Sequence, residues 1–422
     1  MKSAKFTEKK YLVVLAFVTS LFFFWAIALT MGDVLNKHFQ NVLHISKSKS
    51  GLVQLSIFGA YALMGIPAGL FMKKFGYKMG VILGLTLFAG GCFLFVPAAN
   101  RASFDFFRVA LFILALGMAT LETVAHPFVA SLGDERTSDQ RVNFAQSFNG
   151  LGAIVGPLLG GFFIFSGTGS DQSLDSVKTL YTWIGIVVLV LVVIFAFIKV
   201  PDLKDPHAEE TEILEHATGE DHYHDRVNAG APLWKQRHFI FAVIAQFFNI
   251  AAQGGTWAFF INYGVEKMHL QETQASYYFS LSMAMMMIGR FIGTFLMRYI
   301  APNKVLAIFT ACNIVLCLII SQSFGWVSFI SLILLNLFLS VMYPTIFSLG
   351  LKKLGGKVQQ ASSFLVMAMF GGAFFTPIMG KIAETDVAHA YLLPIICYVI
   401  IILFAVKFYK PKTLKLNFND EK

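Results

Sequence analysis

Long apolar runs alternate with short polar segments along nearly the whole chain. A transmembrane helix needs about 20 mostly apolar residues, and twelve runs are long enough. The predicted helices cover residues 11–32, 51–72, 79–98, 105–132, 144–167, 178–199, 237–264, 274–298, 303–322, 325–350, 360–384 and 387–409. The pattern therefore predicts an all-α polytopic membrane protein with 12 transmembrane helices.

The two halves of the chain repeat similar motifs in the same order. The fifth run contains Gly152-x3-Gly156-Pro157-x2-Gly160, and the eleventh contains Gly372-x3-Thr376-Pro377-x2-Gly380. Repeats in register indicate a duplicated unit, here two pseudo-symmetric six-helix bundles in residues 1–200 and 237–422. Small residues at this spacing also let membrane helices pack closely, which is a sufficient structural role for them.

Residues 201–236, between the bundles, are acidic and contain histidines. So polar a stretch cannot enter lipid, and it is predicted to be a solvated linker. Its Asp221-His222-Tyr223-His224-Asp225 cluster could bind a metal, but the linker interpretation is favoured.

The composition excludes a soluble protein. Of the 422 residues, 56% are hydrophobic and only 14% are charged, against about 25% charged residues in soluble proteins. The four cysteines lie inside apolar runs, and these are Cys92, Cys312, Cys317 and Cys397. No disulfide framework, metal site or other cofactor is predicted from them.

The formal net charge of +9 could suggest a nucleic-acid ligand. However, Lys and Arg concentrate in the two tails and in every second loop, which is the bias of cytoplasmic segments. The distribution predicts both termini in the cytoplasm and no nucleic-acid partner. The absence of any Asn-x-Ser/Thr acceptor fits a bacterial inner membrane.

Charged residues within the predicted spans need a reason, because a charge at the bilayer centre costs roughly 2.5–3.5 kcal/mol on insertion scales. Glu122 lies deep in the fourth span, and a functional role is favoured over a structural hydrogen bond. Asp33 ends the first apolar run, so it either functions there or marks the membrane surface. His126 is one helical turn from Glu122 and either shares its proton or is a hydrogen-bonded core residue. Arg290 could pair with an acid or extend to the cytoplasmic surface.

Uncharged amides cluster in two places. The fifth-span region carries Gln140, Asn143, Gln146 and Asn149, and the seventh span carries Gln246, Asn249, Gln253 and Asn262 together with Trp257. Sugar hydroxyls need paired donors and acceptors, and amides supply both. Interhelical hydrogen bonding explains any single amide, but the clustering favours a sugar-binding surface.

Four segments carry a family resemblance. They are Leu121-Glu122-Thr123-Val124-Ala125-His126-Pro127-Phe128, Ala145-Gln146-Ser147-Phe148-Asn149-Gly150, Gly289-Arg290-Phe291-Ile292-Gly293-Thr294 and Tyr343-Pro344-Thr345-Ile346-Phe347-Ser348-Leu349-Gly350. In this order they resemble the fucose–galactose–glucose:proton symporters of the major facilitator superfamily. The likeness runs from about residue 11 to residue 405, and the linker diverges.

The resemblance implies a monosaccharide importer of the L-fucose, galactose and glucose class, coupled to a proton. Asp33 matches the first-span aspartate that couples the proton, and Glu122 matches the glutamate at the sugar site. Because a carboxyl inside the membrane can take up and release a proton, Glu122 is assigned to proton coupling together with Asp33. The expected sugar-binding residues are Glu122, His126, Gln146, Asn149, Gln253, Trp257, Arg290 and Tyr343. His126 stands where the family usually has Asn, and Thr30 and Gly32 stand where a fucose transporter of the family has amides, which leaves the sugar open.

The resemblance also implies an inner-membrane protein that is not an enzyme, with the sugar and the lipid bilayer as partners. We expect a monomer without a bound cofactor, with a proton rather than sodium as the coupled ion. Two alternatives stay open at the sequence level. The Gly-x3-Gly-Pro-x2-Gly motif also occurs in drug–proton antiporters of the superfamily, and a membrane sugar sensor would bind sugar without transporting it.

Overall fold

The computed structural model describes residues 6–133, 137–165, 173–198, 232–354 and 357–411, and in these ranges the regular structure is helical. Eleven helical segments are apolar and long enough to cross a membrane. A twelfth, Ser138–Phe163, is equally long but richer in polar residues. These twelve segments are the spans, numbered below in chain order, and they confirm the predicted fold.

The first six spans form the N-terminal bundle. Their helices are Leu12–Val42, Leu52–Asn100 (spans 2 and 3), Phe104–Ser131, Ser138–Phe163 and Leu174–Phe197, with a short helix Lys47–Ser50 before span 2. Gly76 breaks the long helix between spans 2 and 3 with a φ of 80°. A residue with a Cβ rarely adopts that conformation, so glycine suits the turn.

The last six spans form the C-terminal bundle, and three of them are interrupted. Span 7 consists of Arg237–Ala258 and Phe260–Met268, span 10 of Trp326–Leu339 and Met342–Leu351, and span 11 of Val358–Met367 and Phe370–Thr385. Spans 8 and 9 are Glu272–Leu296 and Pro302–Ser321, and span 12 covers His389–Phe408. An interruption in a helix frees backbone groups for contacts outside that helix.

Glycines bring equivalent spans of the two bundles into close contact. A Cβ at Gly152 of span 5 would overlap with the carbonyl oxygen of Phe23 in span 1. In the other bundle, a Cβ at Gly371 of span 11, beside the motif residue Gly372, would overlap with the carbonyl oxygen of Phe247 in span 7. Both bundles therefore pack their first and fifth spans in the same way.

A buried arginine fastens the beginning of the chain to the N-terminal bundle. Arg141 is fully buried, and it donates from Nε to the Val129 carbonyl at 3.1 Å and from Nη1 to the Phe6 carbonyl at 2.9 Å. Thr7 Oγ1 donates to the Leu132 carbonyl at 2.6 Å. The bonds to the Val129 and Leu132 carbonyls reach the last turn of span 4, where helix carbonyls lack partners within the helix. They hold the segment before span 1 at the face where span 1 begins and span 12 ends, here called the terminal face.

The opposite face, here called the far face, is closed by hydrogen bonds between the bundles. The pairs are Asn36 with the Ala258 carbonyl, Asn262 with Gln40, Asn41 with Glu272 and Lys47 with Glu266, at 2.5–2.7 Å. The Ala258 carbonyl is at the interruption of span 7. We call these four pairs the far-face closure.

The helix boundaries differ from the sequence prediction mainly in span 1. The prediction ended this helix at residue 32, but the helix continues to Val42. Asp33, Asn36 and His38 in the added part are buried. Polar residues here face protein rather than water, so they do not end the helix.

Candidate functional site

Glu122 and His126 are the polar residues of span 4 that face the space between the bundles. Both are partly exposed, although Glu122 lies roughly 27 Å along the helix from its far-face end at Phe104. Tyr61 of span 2 and Tyr343 of span 10 interact electrostatically with the Glu122 carboxyl. Residues from both bundles therefore meet at this acid.

His126 is held between its own helix and span 5. Its Nδ1 lies 2.8 Å from the Glu122 carbonyl oxygen, and its Nε2 lies 2.5 Å from Gln146 Nε2. The rings of Phe22 and Trp25 of span 1 contact the imidazole edge-on, with centroids 5.1 and 5.9 Å away. The imidazole is thus fixed in one orientation.

Asn149 lies one turn after Gln146 on span 5 and is partly exposed. Its Nδ2 donates a long hydrogen bond of 3.4 Å to the Phe22 carbonyl. Its side-chain oxygen has no partner in the described part of the protein, apart from any solvent in the cavity. Glu122, His126, Gln146 and Asn149 form one polar surface, here called the cavity cluster.

Trp257 of span 7 is 5% exposed, and polar residues of spans 8 and 10 hold its indole. Trp257 Nε1 donates to Asn336 Oδ1 at 2.8 Å, and Asn336 Nδ2 donates to Ser282 Oγ at 2.9 Å. Ser282 Oγ in turn donates to the Ile333 carbonyl at 2.8 Å. Gln253 precedes Trp257 by one turn and is partly exposed, so it lies on the same side of span 7.

Arg290 of span 8 points into the protein. Leu281, Ile288 and Phe295 form the exposed stripe of this span, whereas Met283, seven residues before Arg290, is 1% exposed. Seven residues are about two helical turns, so Arg290 extends the interior stripe. The ion pairs of the described residues do not include Arg290, so an acidic partner does not account for it.

Asp33 occupies a separate pocket. Its side chain is 3% exposed, and its Oδ1 accepts a hydrogen bond from Gln54 Nε2 of span 2 at 2.6 Å. Asp33 lies about 14 Å along span 1 from the far-face end at Val42, so it is about 13 Å closer to that face than Glu122. Asp33 does not mark a surface, and the structure does not bring the two acids together.

The predicted amide cluster of span 7 is divided by the structure. Gln246 and Asn249 are at most 1% exposed, and their amides have no protein partner among the described residues. Asn262 belongs to the far-face closure. Gln253 is partly exposed, and the indole of Trp257 is bonded to Asn336. The side chain of Asn143 and the His222–His224 part of the linker lie outside the described residues.

Four residues at these sites were not predicted from the sequence: Trp25, Gln54, Tyr61 and Asn336. Each is a single uncharged residue in an apolar run, a pattern that does not distinguish a site residue from a packing residue. For Gln54 and Asn336, the amide itself was the available signal, since an amide in lipid needs a partner.

Comparison with known proteins identifies the family. The sequence pattern of the Major Facilitator Superfamily matches residues 13–377. The L-fucose-proton symporter of Escherichia coli strain K12 is 37% identical, with 94% of this chain and 93% of the relative covered. The glucose/galactose transporter of Brucella abortus is 34% identical, with 95% of each chain covered.

Solved structures agree with this assignment. The crystal structure of the E. coli fucose:proton symporter in the outward conformation is 35% identical, covers 96% of this chain and 100% of its own, and has a TM-score of 0.68. The D-xylose-proton symporter shares the fold, with a TM-score of 0.75 and 16% identity.

These relatives are transporters rather than enzymes, and the chain is not an enzyme. It is a multi-pass membrane protein, of the inner membrane as in bacterial members of this superfamily. The chain therefore belongs to the major facilitator superfamily and, within it, to the fucose–galactose–glucose:proton symporters.

Proposed function

We propose that this protein imports a monosaccharide of the L-fucose, galactose and glucose class together with a proton, by alternating access. The observation that carries the proposal is the cavity cluster, in which a carboxyl, an imidazole and two amides face one space at mid-membrane depth. The names of the relatives, L-fucose-proton symporter and glucose/galactose transporter, support the substrate class.

The cavity cluster suits a polyhydroxylated ligand. The Glu122 carboxylate accepts hydrogen bonds, and the amides of Gln146 and Asn149 can both donate and accept. A sugar ring also has apolar C–H faces, which pack on aromatic rings. Trp257 and Tyr343 supply such rings from the C-terminal bundle, and Arg290 supplies donors. We assign all eight predicted binding residues to this cavity on these grounds.

Asp33 suits the transfer of a proton. A charge at its depth is costly in lipid, and binding of a proton removes that charge. In the present state the far-face closure separates Asp33 from the far side. Opening of that closure would let water reach the carboxyl and exchange its proton. We therefore propose Asp33 as the main coupling acid, with Glu122 linking proton and sugar.

The closed far face represents one half of the transport cycle. The cavity cluster is partly exposed although the far face is closed, so its path to solvent runs toward the terminal face. A relative of 35% identity was solved in the outward conformation. Rocking of one bundle against the other interconverts such states.

The Lys and Arg distribution supports a cytoplasmic terminal face, so the present state would release sugar into the cytoplasm. We further propose that the chain acts as a monomer of two bundles, residues 1–200 and 237–422, joined by the linker 201–236. It would need no cofactor and no nucleic acid, and the coupled ion would be a proton rather than sodium.

Reconstituted transport tests the proposal. Purified protein in proteoliposomes should accumulate radiolabelled D-galactose, D-glucose or L-fucose when the outside is made acidic, and a protonophore should abolish the accumulation. A sodium gradient at constant pH serves as the comparison. Uptake that follows sodium and ignores the pH gradient would refute proton symport, and absence of both binding and uptake for all three sugars would refute the substrate class.

A further inference from the structure

The contacts of His126 determine which nitrogen carries the hydrogen. A carbonyl oxygen only accepts hydrogen bonds, so Nδ1, at 2.8 Å from the Glu122 carbonyl, carries a hydrogen. In the neutral ring Nε2 is then an acceptor. The NH2 group of Gln146, at 2.5 Å from Nε2, supplies the matching donor. The arrangement is that of a neutral His126 in the Nδ1–H form.

The same contacts change when His126 gains a proton. Both ring nitrogens of an imidazolium are donors, so Nε2–H would face the NH2 group of Gln146, which is also a donor. The conflict is removed when the Gln146 amide turns by half a rotation and offers Oε1 to the ring. Nδ1 keeps its bond to the Glu122 carbonyl in both states, so the ring itself need not move.

The other end of the Gln146 amide faces the cavity. Gln146 is partly exposed, and its Oε1 is neither bonded to the protein nor among the enclosed unpartnered atoms of the described residues. While His126 is neutral, the cavity therefore meets a hydrogen-bond acceptor at this position. After the amide turns, the cavity meets a donor.

We propose that His126 and Gln146 form a proton-controlled switch that changes one hydrogen-bond position of the sugar cavity from acceptor to donor. This inference rests on the proposed sugar transport, and it deepens it by naming a specificity determinant.

The groups around His126 are compatible with a change of its charge. The elements packed on it contribute Phe22 and Trp25 from span 1 and Gln146 from span 5, none of which is charged. The charged and titratable groups that face the same cavity are Glu122, with Tyr61 and Tyr343 beside it, and Arg290 from span 8. Glu122 is one helical turn away and offers a counter-charge for an imidazolium. Asp33 lies in its own pocket nearer the far face.

Nitrogen-15 NMR of the full-length protein in nanodiscs tests the switch without any sugar. The chain has 10 histidines, so the His126 signals are assigned by their loss in His126→Asn. We expect the Nδ1–H form at high pH and a doubly protonated ring at low pH. Gln146→Glu places an acceptor opposite Nε2 in both states and should extend the doubly protonated form to higher pH. A ring that carries its hydrogen on Nε2 at high pH, or that ignores Gln146→Glu, would overturn the proposal.

His238 is the matched histidine for this measurement. It is 1% exposed, its Nε2 lies 2.9 Å from the Lys352 carbonyl, and its Nδ1 has no partner among the described residues. It is thus a buried histidine fixed by one carbonyl, without a glutamine. Gln146→Glu should leave the His238 signals unchanged.

Monodeoxyfluoro sugars test the change at the cavity. Fluorine can replace a hydroxyl as a hydrogen-bond acceptor, but it cannot donate. It therefore pairs with Gln146 when the NH2 group faces the cavity, and it does not pair when Oε1 faces the cavity. For the hydroxyl that contacts Gln146, we expect the ratio of the Kd of the fluoro-sugar to the Kd of the parent sugar to fall about three- to tenfold as the pH drops through the His126 transition. His126→Asn should make the ratio independent of pH, and His238→Asn should not.

The outcomes separate this proposal from the proposed function. The switch would be refuted if D-galactose, D-glucose or L-fucose bound, but the ratio of fluoro-sugar Kd to parent-sugar Kd did not change with pH for a fluorine at any position of the ring. That result would leave sugar transport standing. Absence of binding for all three sugars would refute the proposed function, while the NMR measurement would still decide whether His126 and Gln146 exchange donor and acceptor roles.

Discussion

Asp33 and Glu122 are both acids inside the membrane part of the protein, but their surroundings differ. Asp33 is enclosed, and its carboxylate accepts a hydrogen bond from Gln54. Glu122 is partly exposed and faces the cavity next to His126. An enclosed acid can gain access to water only when the protein changes state, whereas a cavity acid can contact the substrate directly. The two residues are thus suited to coupling and to binding, respectively.

Replacement of Asp33 by asparagine tests this division. Asp33→Asn keeps the size of the side chain and an acceptor for Gln54, but it cannot carry a proton. We expect uphill accumulation in proteoliposomes to be abolished while exchange of labelled for unlabelled sugar persists. Gln54→Leu, which leaves the acid in place, is the control and should still accumulate sugar along a pH gradient. Normal accumulation by Asp33→Asn would remove Asp33 from the coupling mechanism.

A second residue-scale prediction concerns Asn336, which acts on the site through Trp257. Asn336→Ala removes the acceptor for the indole N–H and leaves the ring free to reorient. Loss of one such bond corresponds to about two- to tenfold in affinity, so KM should rise with little change in kcat. In a background in which Trp257 is the one remaining tryptophan, Asn336→Ala should also change the fluorescence of the indole.

Ser331→Ala is the matched control for Asn336→Ala. Ser331 lies on the same span, but among the described residues its hydroxyl bonds only to the Val327 carbonyl of its own helix. It should leave both KM and the indole fluorescence unchanged. Equal effects of the two substitutions would show that Asn336 stabilises span 10 in general and does not position Trp257.

The charged site residues could be predicted from the sequence because a charge in the bilayer costs free energy and is therefore rarely present without a function. The same argument does not find Tyr61 or Trp25, since aromatic residues are abundant in every span. It also cannot separate Gln253, which lies with the cavity, from Gln246, which is buried elsewhere. The direction of a side chain depends on which neighbouring helix covers it, and a single sequence does not contain that information.

At the scale of the helices, the bundles differ in continuity. Spans 1, 4 and 5 are unbroken helices, whereas the corresponding spans 7, 10 and 11 are interrupted. The repeat motifs predicted two equivalent bundles and close packing of helices, but neither the pairing of spans 1 with 5 and 7 with 11 nor these interruptions. The interruption of span 7 coincides with the bond from Asn36 to the Ala258 carbonyl. Contacts with the other bundle therefore compensate for part of the lost helix hydrogen bonding.

Hydropathy alone does not identify span 5 as a transmembrane helix, because this span is less apolar than the other eleven. Its first two turns contain Ser138, Asp139, Gln140 and Arg141, and its middle contains Gln146 and Asn149. These residues lower the apolar character of a helix that is packed against spans 1 and 8. A span that lines a cavity can be less apolar than one that faces lipid, so its low hydropathy is itself a functional signal.

The packing of spans 1 and 5 leads to a prediction about stability. Gly152→Ala would place a methyl group against the backbone carbonyl of Phe23, which cannot move without its helix. Overpacking of this kind costs about 1–3 kcal/mol, so the apparent melting temperature in detergent should fall by roughly 2 to 10 °C. Gly90→Ala is the control, because a Cβ there meets no atom within 4 Å and alanine favours a helix. Equal melting temperatures for the two variants would contradict close packing at Gly152.

At the scale of the whole molecule, the far-face closure sets the relative positions of the bundles. It joins span 1 and the short helix Lys47–Ser50 to spans 7 and 8, and this short helix also packs against span 11. A Cβ at Gly51 would lie 3.0 Å from the backbone of Pro377, and a Cβ at Gly380 would lie 2.7 Å from the Lys47 carbonyl. Opening of the far face must break these contacts together, so each of them contributes to the balance between the two states.

The pair of Lys47 with Glu266 allows this balance to be shifted. Its atoms are 2.7 Å apart, and both side chains are partly exposed, so the pair should contribute about 0.2–1 kcal/mol. Glu266→Lys places two cations together. Their repulsion should shift the balance toward the open far face by more than removal of the Lys47–Glu266 attraction alone would. We expect a thiol reagent added from the far side to label a cysteine at Ser50 about two- to fivefold faster, in a background without the four natural cysteines. Ser50 is buried in the closed state.

The exchanged pair Lys47→Glu with Glu266→Lys provides the decisive comparison. It restores opposite charges across the bundles, although it loses the bond from Lys47 Nζ to the Ala383 carbonyl, so the labelling rate should return most of the way to that of the parent protein. A cysteine at Arg101, which is exposed at the far face, should react at one rate in all variants. If Glu266→Lys left the rate at Ser50 unchanged, the closure would depend on backbone packing around Gly51 and Gly380 rather than on charge. If the exchanged pair were as reactive as the single variant, the effect of Glu266→Lys would come from local disruption and not from the loss of attraction between the bundles.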